Sequence, residues 1–269
     1  MSATLGTSLI DEGSGPPLVV FHGWNGSKHN ILRWLPALAP HFRVIVPDLP
    51  GCNGVPSLRE RHTAAAYARW SETFLRSLGV ERFFAAGLCS GTAIALAVAD
   101  RVPSRVSGLL LHTPFLRPEL IRPAVLLQLR VLISPAGVLF GPLRRNTMLA
   151  TLHRRLFANA DEVDPEQLAH DQSDLLLADM RAARELAADL LRVDRVPVVR
   201  GWRGPVAALL AGADAFVDSP RTVALLREVA PQSRIEVIPG GHGWTPAYVA
   251  AQEAALARLA PVLREAAAR

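Results

Sequence analysis

Residues 82–91, Arg-Phe-Phe-Ala-Ala-Gly-Leu-Cys-Ser-Gly, decide the fold that this sequence predicts. The first half is a short apolar run typical of a buried strand, and the Ala-rich stretch Thr92–Asp100 that follows is typical of a helix. Gly87-Leu88-Cys89-Ser90-Gly91 therefore lies at a sharp turn between a strand and a helix. In such a turn the central residue is strained, and the residues two places before and after it must be small because the strand and helix pass close together. Two glycines meet this requirement around Cys89.

Cys89 is therefore the candidate nucleophile, and Ser90 is the alternative. A turn centred on Ser90 has Leu88 and Thr92 at its flanking positions, and neither suits the tight crossing. A buried cysteine is more often a structural thiol than a reactive one. However, the dipole of a helix stabilises a thiolate at the helix N-terminus and lowers the pKa of a thiol there, which favours a reactive Cys89.

The remaining pattern alternates strands with helices and predicts a mostly parallel sheet that is covered by helices on both faces. The other predicted strands are Leu18–Phe21, Arg43–Asp48, Val106–His112, Pro205–Gly212 and Arg234–Pro239. The other predicted helices are Thr63–Leu78, which Gly79 ends, and Ala247–Ala268.

Residues 115–200 interrupt this alternation. They contain no convincing strand, read as several helices separated by prolines, and are too long for a loop. We interpret them as a helical cap segment inserted into a core of residues 1–114 and 201–269. Within it, Pro123–Leu143 is strongly apolar, but Arg130 and Pro135 interrupt the run, so stable membrane insertion is not expected. The apolar stretch either packs on the core or roofs the pocket of a hydrophobic acyl-type substrate.

A glycine-bearing turn follows the first predicted strand, at His22-Gly23-Trp24-Asn25-Gly26. Such a turn can aim a backbone N–H group at a reacting carbonyl oxygen. We expect the two donors of an oxyanion hole to be the N–H groups of Trp24 and of Ser90, the residue after the nucleophile. His22 and Gly23 are expected to lie beside the substrate.

The candidate base is His242, in Gly240-Gly241-His242-Gly243-Trp244 after the last predicted strand, because a histidine in a Gly-rich loop can reach a nucleophile on another strand. The histidines that remain as alternatives are His22, His29, His41, His62, His112, His153 and His170. The sequence predicts three further substrate contacts: Cys52, near the carboxyl edge of the sheet; His112, at the end of a strand; and Trp244.

The candidate acid is Asp214, the first carboxylate after the fifth predicted strand. An acid there can fix the tautomer of the base and stabilise the imidazolium. Asp218 is the alternative, but it precedes a helix beginning near Pro220 and is better explained as that helix's N-cap.

The order Cys89, Asp214, His242 is the order nucleophile, acid, base, and residues 16–114 and 204–265 resemble the catalytic domain of the α/β-hydrolase superfamily. Pro47-Asp48-Leu49-Pro50-Gly51 is similar to a loop of its cap-bearing members, such as epoxide hydrolases, carbon–carbon bond hydrolases and esterases. The acid loop departs from that pattern, being one residue shorter than the usual Gly-x-x-Asp.

The nucleophile position also departs from the family pattern. Most relatives carry serine there, and dehalogenases and epoxide hydrolases carry aspartate, so the resemblance does not favour haloalkane or epoxide opening. The cysteine resembles that of dienelactone hydrolases, which lack such a cap, and of cysteine-type thioesterases. It implies a hydrolase or acyltransferase that cleaves an activated ester, lactone or thioester through an acyl-enzyme. The alternatives are a lyase or cyclase that uses the same pocket, and a small-molecule receptor.

Composition excludes several other classes. The formal charge is +5 and the 29 basic residues include one lysine, Lys28, without a basic run, so nucleic-acid binding is not expected. Two cysteines are no disulfide framework, and no signal peptide is visible, so a cytoplasmic location is expected. No metal-ligand spacing or phosphate-binding glycine loop occurs, so no cofactor is expected. The oligomeric state stays open.

Overall fold

A seven-stranded sheet forms the centre of the fold in the computed structural model, which describes residues 6–139, 165–241 and 245–268. The spatial order is β1-β3-β2-β4-β5-β6-β7. The strands are β1 (Leu9–Glu12), β2 (Pro17–Phe21), β3 (Arg43–Pro47), β4 (Phe83–Leu88), β5 (Val106–His112), β6 (Val206–Ala211) and β7 (Arg234–Ile238).

All neighbouring strands from β3 to β7 pair in parallel, which confirms the predicted α/β fold. Every residue of β4 and β6 is buried, as expected of strands that helices cover on both faces. The sequence prediction did not include β1, which pairs antiparallel with β3 at the edge of the sheet. This strand has four residues and ends in two exposed acids, Asp11 and Glu12, so it carries no continuous apolar run to signal it.

Helices flank the sheet, and several of them begin at residues that the sequence marks. They are α1 (Leu35–Leu38), α2 (Ala64–Ser77), α3 (Gly91–Arg101), α4 (Pro123–Ile133), α5 (Pro165–Leu177), α6 (Met180–Leu190), α7 (Val196–Gly201), α8 (Ser219–Val229) and α9 (Pro246–Ala266). Short 3-10 helices span Lys28–Trp34, Pro118–Leu120 and Pro135–Leu139.

The two ends of α2 show how local sequence sets these helix boundaries. Thr63 caps its first turn by accepting from the Ala66 N–H group. At the other end Gly79 adopts a φ of 67°, and the Gly79 and Val80 N–H groups donate to the Arg76 and Leu75 carbonyls. This is a Schellman motif, which requires the left-handed conformation that glycine adopts without strain. The prediction that Gly79 ends the helix is confirmed.

The described part of the cap segment is helical and lies between β5 and β6. Pro118, Pro123, Pro135 and Pro165 each stand at the first residue of a helical element, where proline is tolerated because its missing N–H group would have no partner. Pro142 and the end of the apolar stretch, residues 140–143, lie outside the described residues. Among the described helices, none is both long enough and apolar enough to span a bilayer.

The sheet topology brings four loops to one edge. The segments after β2, β4, β5 and β6 begin at His22, Cys89, Thr113 and Gly212, and these strands are parallel neighbours. The carboxyl ends of parallel strands lie at the same edge of a sheet, which is where ligands bind in open α/β folds. The candidate nucleophile, acid and oxyanion turn therefore share one edge.

Candidate active site

Cys89 occupies a strained backbone position between β4 and α3. Its φ is 54°, whereas most residues other than glycine avoid positive values. Ser90 has ordinary helical angles, φ −61° and ψ −24°. The strained residue of this turn is therefore Cys89 and not Ser90, and such strain persists only where the surrounding structure enforces it.

Two glycines make this turn sterically possible. A Cβ atom added to Gly87 would lie 2.4 Å from the backbone of Gly91, and one added to Gly91 would lie 2.1 Å from the carbonyl oxygen of Phe21. Both distances are far inside van der Waals contact. The crossing of β4, α3 and β2 therefore excludes any side chain at either position, as the sequence pattern predicted.

The turn after β2 lies directly against the nucleophile turn. The Gly26 N–H group donates to the Gly23 carbonyl at 3.1 Å, and Asn25 has a φ of 53° at the corner of this turn. A Cβ atom added to Gly23 would lie 3.5 Å from the Cβ atom of Cys89. The absence of a side chain at Gly23 thus keeps open the space beside the candidate nucleophile.

The two expected oxyanion donors belong to these two turns, Trp24 to the turn after β2 and Ser90 to the nucleophile turn. Within the described residues, the backbone N–H groups of Trp24 and Ser90 make no hydrogen bond to the protein. The Trp24 side chain is anchored separately, because its indole Nε1 donates to the Ala183 carbonyl of α6 at 3.0 Å.

His22 anchors the turn after β2 through both of its ring nitrogens. The Leu49 N–H group donates to Nε2 at 3.0 Å, so the neutral ring carries its proton on Nδ1, which donates to the Gly23 carbonyl at 3.0 Å. Complete burial lowers the pKa of His22, with Gly23 and Asp48 opposing that shift, so the neutral form is favoured. Both ring nitrogens serve the backbone, which gives His22 an anchoring role beside Gly23.

Asp214 follows β6 and is buried, with only 1% of its surface exposed. Its Oδ1 accepts from the Phe216 and Val217 N–H groups at 2.7 and 2.9 Å, and its Oδ2 accepts from the Thr113 hydroxyl at 3.2 Å. Charged hydrogen bonds of this kind hold a carboxylate in one orientation. Oδ2 is thus aimed from the end of β6 toward the end of β5.

The loop that carries Asp214 is fastened to the start of the cap segment. Arg122 Nε donates to the Asp214 carbonyl at 2.8 Å, and the Arg122 N–H group donates to the Phe216 carbonyl. Asp218 instead caps α8 by accepting from the Arg221 N–H group, so its predicted capping role is confirmed. Two residues predicted for the site, the base His242 and the substrate contact Trp244, lie outside the described residues.

His112 and Cys52 take different places. The His112 ring packs on Trp34 with centroids 5.4 Å apart, and its Nε2 meets Gln252 Nε2 at 2.8 Å, so the side chain faces α9. Its carbonyl accepts from the Cys89 N–H group at 2.9 Å, which ties the end of β5 to the nucleophile turn. Cys52 lies in the wall of a cavity, and burial together with Asp48 raises the pKa of its thiol to about 12.

A narrow cavity lies beside the nucleophile turn, within about 270 Å³ of space that includes open solvent, and it has room for roughly one water molecule. Three regions form its wall: the turn after β2 with Ser90, the loop after β3 with Tyr67 of α2, and α6 of the cap segment. Its lining residues are Gly23, Trp24, Asn25, Ser90, Leu49, Cys52, Tyr67, Ala182, Ala183 and Leu186. Ser90 follows Cys89 in sequence, but Cys89 itself is not among these lining residues.

The start of α6 packs directly against the loop after β3. A Cβ atom added to Gly51 would lie 2.5 Å from the Ala182 Cβ atom, and the Asp179 N–H group donates to the Gly51 carbonyl at 2.8 Å. Over the described part of the chain, no three His, Cys, Asp or Glu side chains come together as a metal site.

Sequence reasoning did not single out two residues of this region. Thr113 is buried, has a φ of 49° and donates to Asp214, yet no local pattern marks a threonine after a strand as an acid's partner. Asn25 was quoted only as part of the oxyanion turn, although its position between a tryptophan and a glycine in that turn is a usable signal for a left-handed asparagine.

The chain resembles known proteins in both sequence and structure. Residues 16–243 match the model of the family described as alpha/beta hydrolase fold. Haloalkane dehalogenase 2 of Mycobacterium tuberculosis is 30% identical over 231 residues, which cover 80% of this chain and 76% of that protein.

Solved structures also resemble the chain. A thermophilic esterase from Thermogutta terrifontis superposes with a TM-score of 0.71 at 22% identity, over 96% of this chain and 92% of that one. The N-acyl homoserine lactonase AidH gives 0.73 at 19% identity, over 94% and 93%. These likenesses concern the fold.

Proposed function

Because the chain belongs to the alpha/beta hydrolase fold family, we propose that it is a hydrolase or acyltransferase that cleaves an activated ester, lactone or thioester through Cys89. The observation that carries the proposal is the backbone of Cys89. It is strained at φ 54°, is enclosed by two glycines that tolerate no side chain, and lies beside the open N–H groups of Trp24 and Ser90. Strain of this kind concentrates at active sites.

In the proposed first step the Cys89 thiolate attacks the carbonyl carbon of the acyl donor. The carbonyl oxygen becomes an oxyanion, which the N–H groups of Trp24 and Ser90 stabilise. When the tetrahedral intermediate collapses, the bond to the leaving group breaks, and that group takes a proton from the imidazolium of His242. The product is a thioester on Cys89.

In the second step His242 removes a proton from water or from another acceptor, which attacks the thioester carbonyl and releases Cys89. Asp214 accepts from the imidazole and stabilises its charged form during both steps. The role of Asp214 is supported by its burial and by the three donors that orient it, from Thr113, Phe216 and Val217. Hydrolysis and transfer differ only in the acceptor.

We do not propose carbon–halogen cleavage, although a haloalkane dehalogenase is 30% identical. The resemblance implies an aspartate at the nucleophile position of dehalogenases, where this chain has Cys89. The esterase and lactonase that share the fold make acyl donors the more relevant substrates to test.

The test is to mix the protein with a panel of acyl thioesters and aryl esters, quench in acid, and locate adducts by intact mass and peptide mapping. We expect an acyl adduct on Cys89, and neither adduct nor turnover from Cys89→Ala. Ser90→Ala is the matched control, since it removes the rival hydroxyl and should still acylate. An adduct on Ser90, or full turnover by Cys89→Ala, would refute the cysteine mechanism.

A further inference from the structure

The only lysine of the chain forms a buried ion pair that includes none of the candidate catalytic residues. Of the 29 basic residues, only Lys28 is a lysine. Its Nζ donates to Asp48 Oδ2 at 2.7 Å, where 16% of the Lys28 side chain is exposed and the Asp48 side chain is fully buried. Taking two charges out of water is costly unless the geometry and further hydrogen bonds hold them together. The position of this pair therefore requires an explanation.

Asp48 is fixed in place by its own contacts. Its Oδ1 accepts from the backbone N–H group of Lys28 at 2.8 Å, and its Oδ2 also accepts from Asn53 Nδ2 at 3.0 Å. The Asp48 N–H group donates to the Ser8 carbonyl at 2.9 Å, and its carbonyl accepts from the Thr7 hydroxyl. Both the backbone and the carboxylate of Asp48 are thus held, so Asp48 is a rigid anchor for residue 28.

The geometry of the carboxylate explains a lysine in a chain that otherwise uses arginine. Arginine prefers to bind both oxygens of a carboxylate, as Arg43 does when its Nε and Nη2 donate to the two oxygens of Asp11 at 2.7 and 2.6 Å. At Asp48 one oxygen already accepts from the backbone of residue 28. A compact ammonium suits the oxygen that remains, and Lys28 therefore binds Asp48 through both its backbone and its side chain.

These contacts hold one end of the oxyanion turn, and His22 holds the other. His22 Nε2 accepts from the Leu49 N–H group at 3.0 Å, while Lys28 binds Asp48. The two ends of the turn are therefore fixed to two adjacent residues of the loop after β3. Trp24, whose N–H group is the expected oxyanion donor, lies between these ends, so its direction depends on both attachments.

We propose that Lys28 and Asp48 are positioning residues for the oxyanion hole, which keep the Trp24 N–H group aligned by holding the end of its turn. The inference rests on the proposed function, because an oxyanion forms only when Cys89 attacks an acyl carbonyl. Such donors act because they are aligned before the charge develops. Misplacement by about 1 Å can slow a reaction about a hundredfold, so loosening the turn should slow acylation without any direct contact between Lys28 and the substrate.

The test compares two reactions of the same Cys89 thiolate. S-phenyl thioacetate acylates it through a tetrahedral oxyanion, whereas iodoacetamide alkylates it by displacing iodide and forms no oxyanion. Acid quenching, intact mass and peptide mapping give both rate constants at Cys89. The ratio of acylation to alkylation reports on the oxyanion hole, because changes in the thiolate or in the folded fraction affect both reactions.

Three variants are compared with the wild-type protein. Lys28→Met removes the ammonium but keeps an unbranched side chain, and it leaves Asp48 buried without a counter-charge. Lys28→Met combined with Asp48→Asn leaves no buried charge without a partner, so we expect this double variant to fold even where the single variant does not. Arg43→Met is the matched control, since it removes the exposed ion pair with Asp11. Thermal unfolding measures the stability of each variant.

We expect the ratio of acylation to alkylation to fall about ten- to hundredfold in Lys28→Met and in the double variant, and to stay within about twofold in Arg43→Met. If the wild-type protein is acylated and the ratio stays within about twofold in the folded Lys28 variants, this inference is overturned and the proposed function stands. An equal fall in Arg43→Met would also overturn it. If wild-type Cys89 is alkylated but neither acylated by S-phenyl thioacetate nor able to turn it over, the proposed function fails and the inference fails with it.

Discussion

Replacement of Gly91 by alanine tests whether the nucleophile turn is as closely packed as the structure indicates. The new Cβ atom would lie 2.1 Å from the Phe21 carbonyl oxygen and 2.6 Å from that of His22. The shorter distance is roughly 1.3 Å inside ordinary contact, and the obstacle is backbone, so β2 and α3 must separate. Overpacking of this kind costs about 3 kcal/mol or more.

For a chain of this size a loss of about 3 kcal/mol lowers Tm by roughly 6–12 °C. The displacement also moves Cys89 away from the oxyanion donors, so we expect the rate of acylation to fall about a hundredfold, because misplacement by about 1 Å has effects of that size. Scanning calorimetry measures Tm, and quenched intact mass measures the acylation rate.

Gly201→Ala is the matched control. Gly201 is the last residue of α7, and a Cβ atom added there meets nothing within 4 Å. We expect its stability to stay within about 0.5 kcal/mol of the wild-type value. If Gly91→Ala matched this control in both Tm and acylation rate, the steric account of the turn would be wrong.

Three further predictions concern other buried groups of the same region. Thr113→Val removes the hydroxyl that donates to Asp214 Oδ2, so we expect calorimetry to show a free energy of unfolding that is lower by about 1–3 kcal/mol. The pH–rate profile should also shift, and Thr113→Ser should restore it. An unchanged profile would contradict this prediction. Burial raises the pKa of Asp174 to about 6. The free energy of unfolding should therefore decline by about 1–2 kcal/mol as pH rises from about 4 to about 6, because the buried side chain must then ionise. Urea titrations measure this decline, and Asp174→Asn should flatten it. Because the Cys52 thiol has a pKa of about 12, roughly one part in ten thousand is thiolate at pH 8, and iodoacetamide should spare Cys52 until the protein unfolds, as peptide mapping would show.

Much of the fold could be predicted because its signals are local. Each parallel strand carries a short apolar run, and helix ends carry their own markers, such as Gly79 in the Schellman motif and Asp218 at the start of α8. The glycine spacing around Cys89 is also local, since two residues on either side suffice to describe the crossing. The edge strand Leu9–Glu12 was not predicted, because a short strand with two exposed acids has no apolar run.

The side-chain hydrogen bonds around the candidate site could not be predicted in the same way, because they join partners far apart in the chain. Thr113 and Asp214 are 101 positions apart, and the bond from Trp24 Nε1 to the Ala183 carbonyl spans 159 positions. Whether a buried polar atom is satisfied is known only when every neighbour is placed. His112 lies at a strand end, where the sequence predicts a substrate contact. Its ring packs on Trp34 and its Nε2 meets Gln252 of α9, and the substrate contact stays a prediction.

The backbone of the nucleophile turn and the side chain at its centre determine different aspects of the proposed reaction. The glycine pair and the strained turn restrict where a nucleophile can stand, but they act on the backbone and would accept serine, aspartate or cysteine equally. The identity of residue 89 is what separates the proposed acyl chemistry from that of the dehalogenase that is 30% identical to the chain. Within this fold, therefore, the backbone of the turn fixes the position of residue 89, and the proposed chemistry depends on the side chain that stands there.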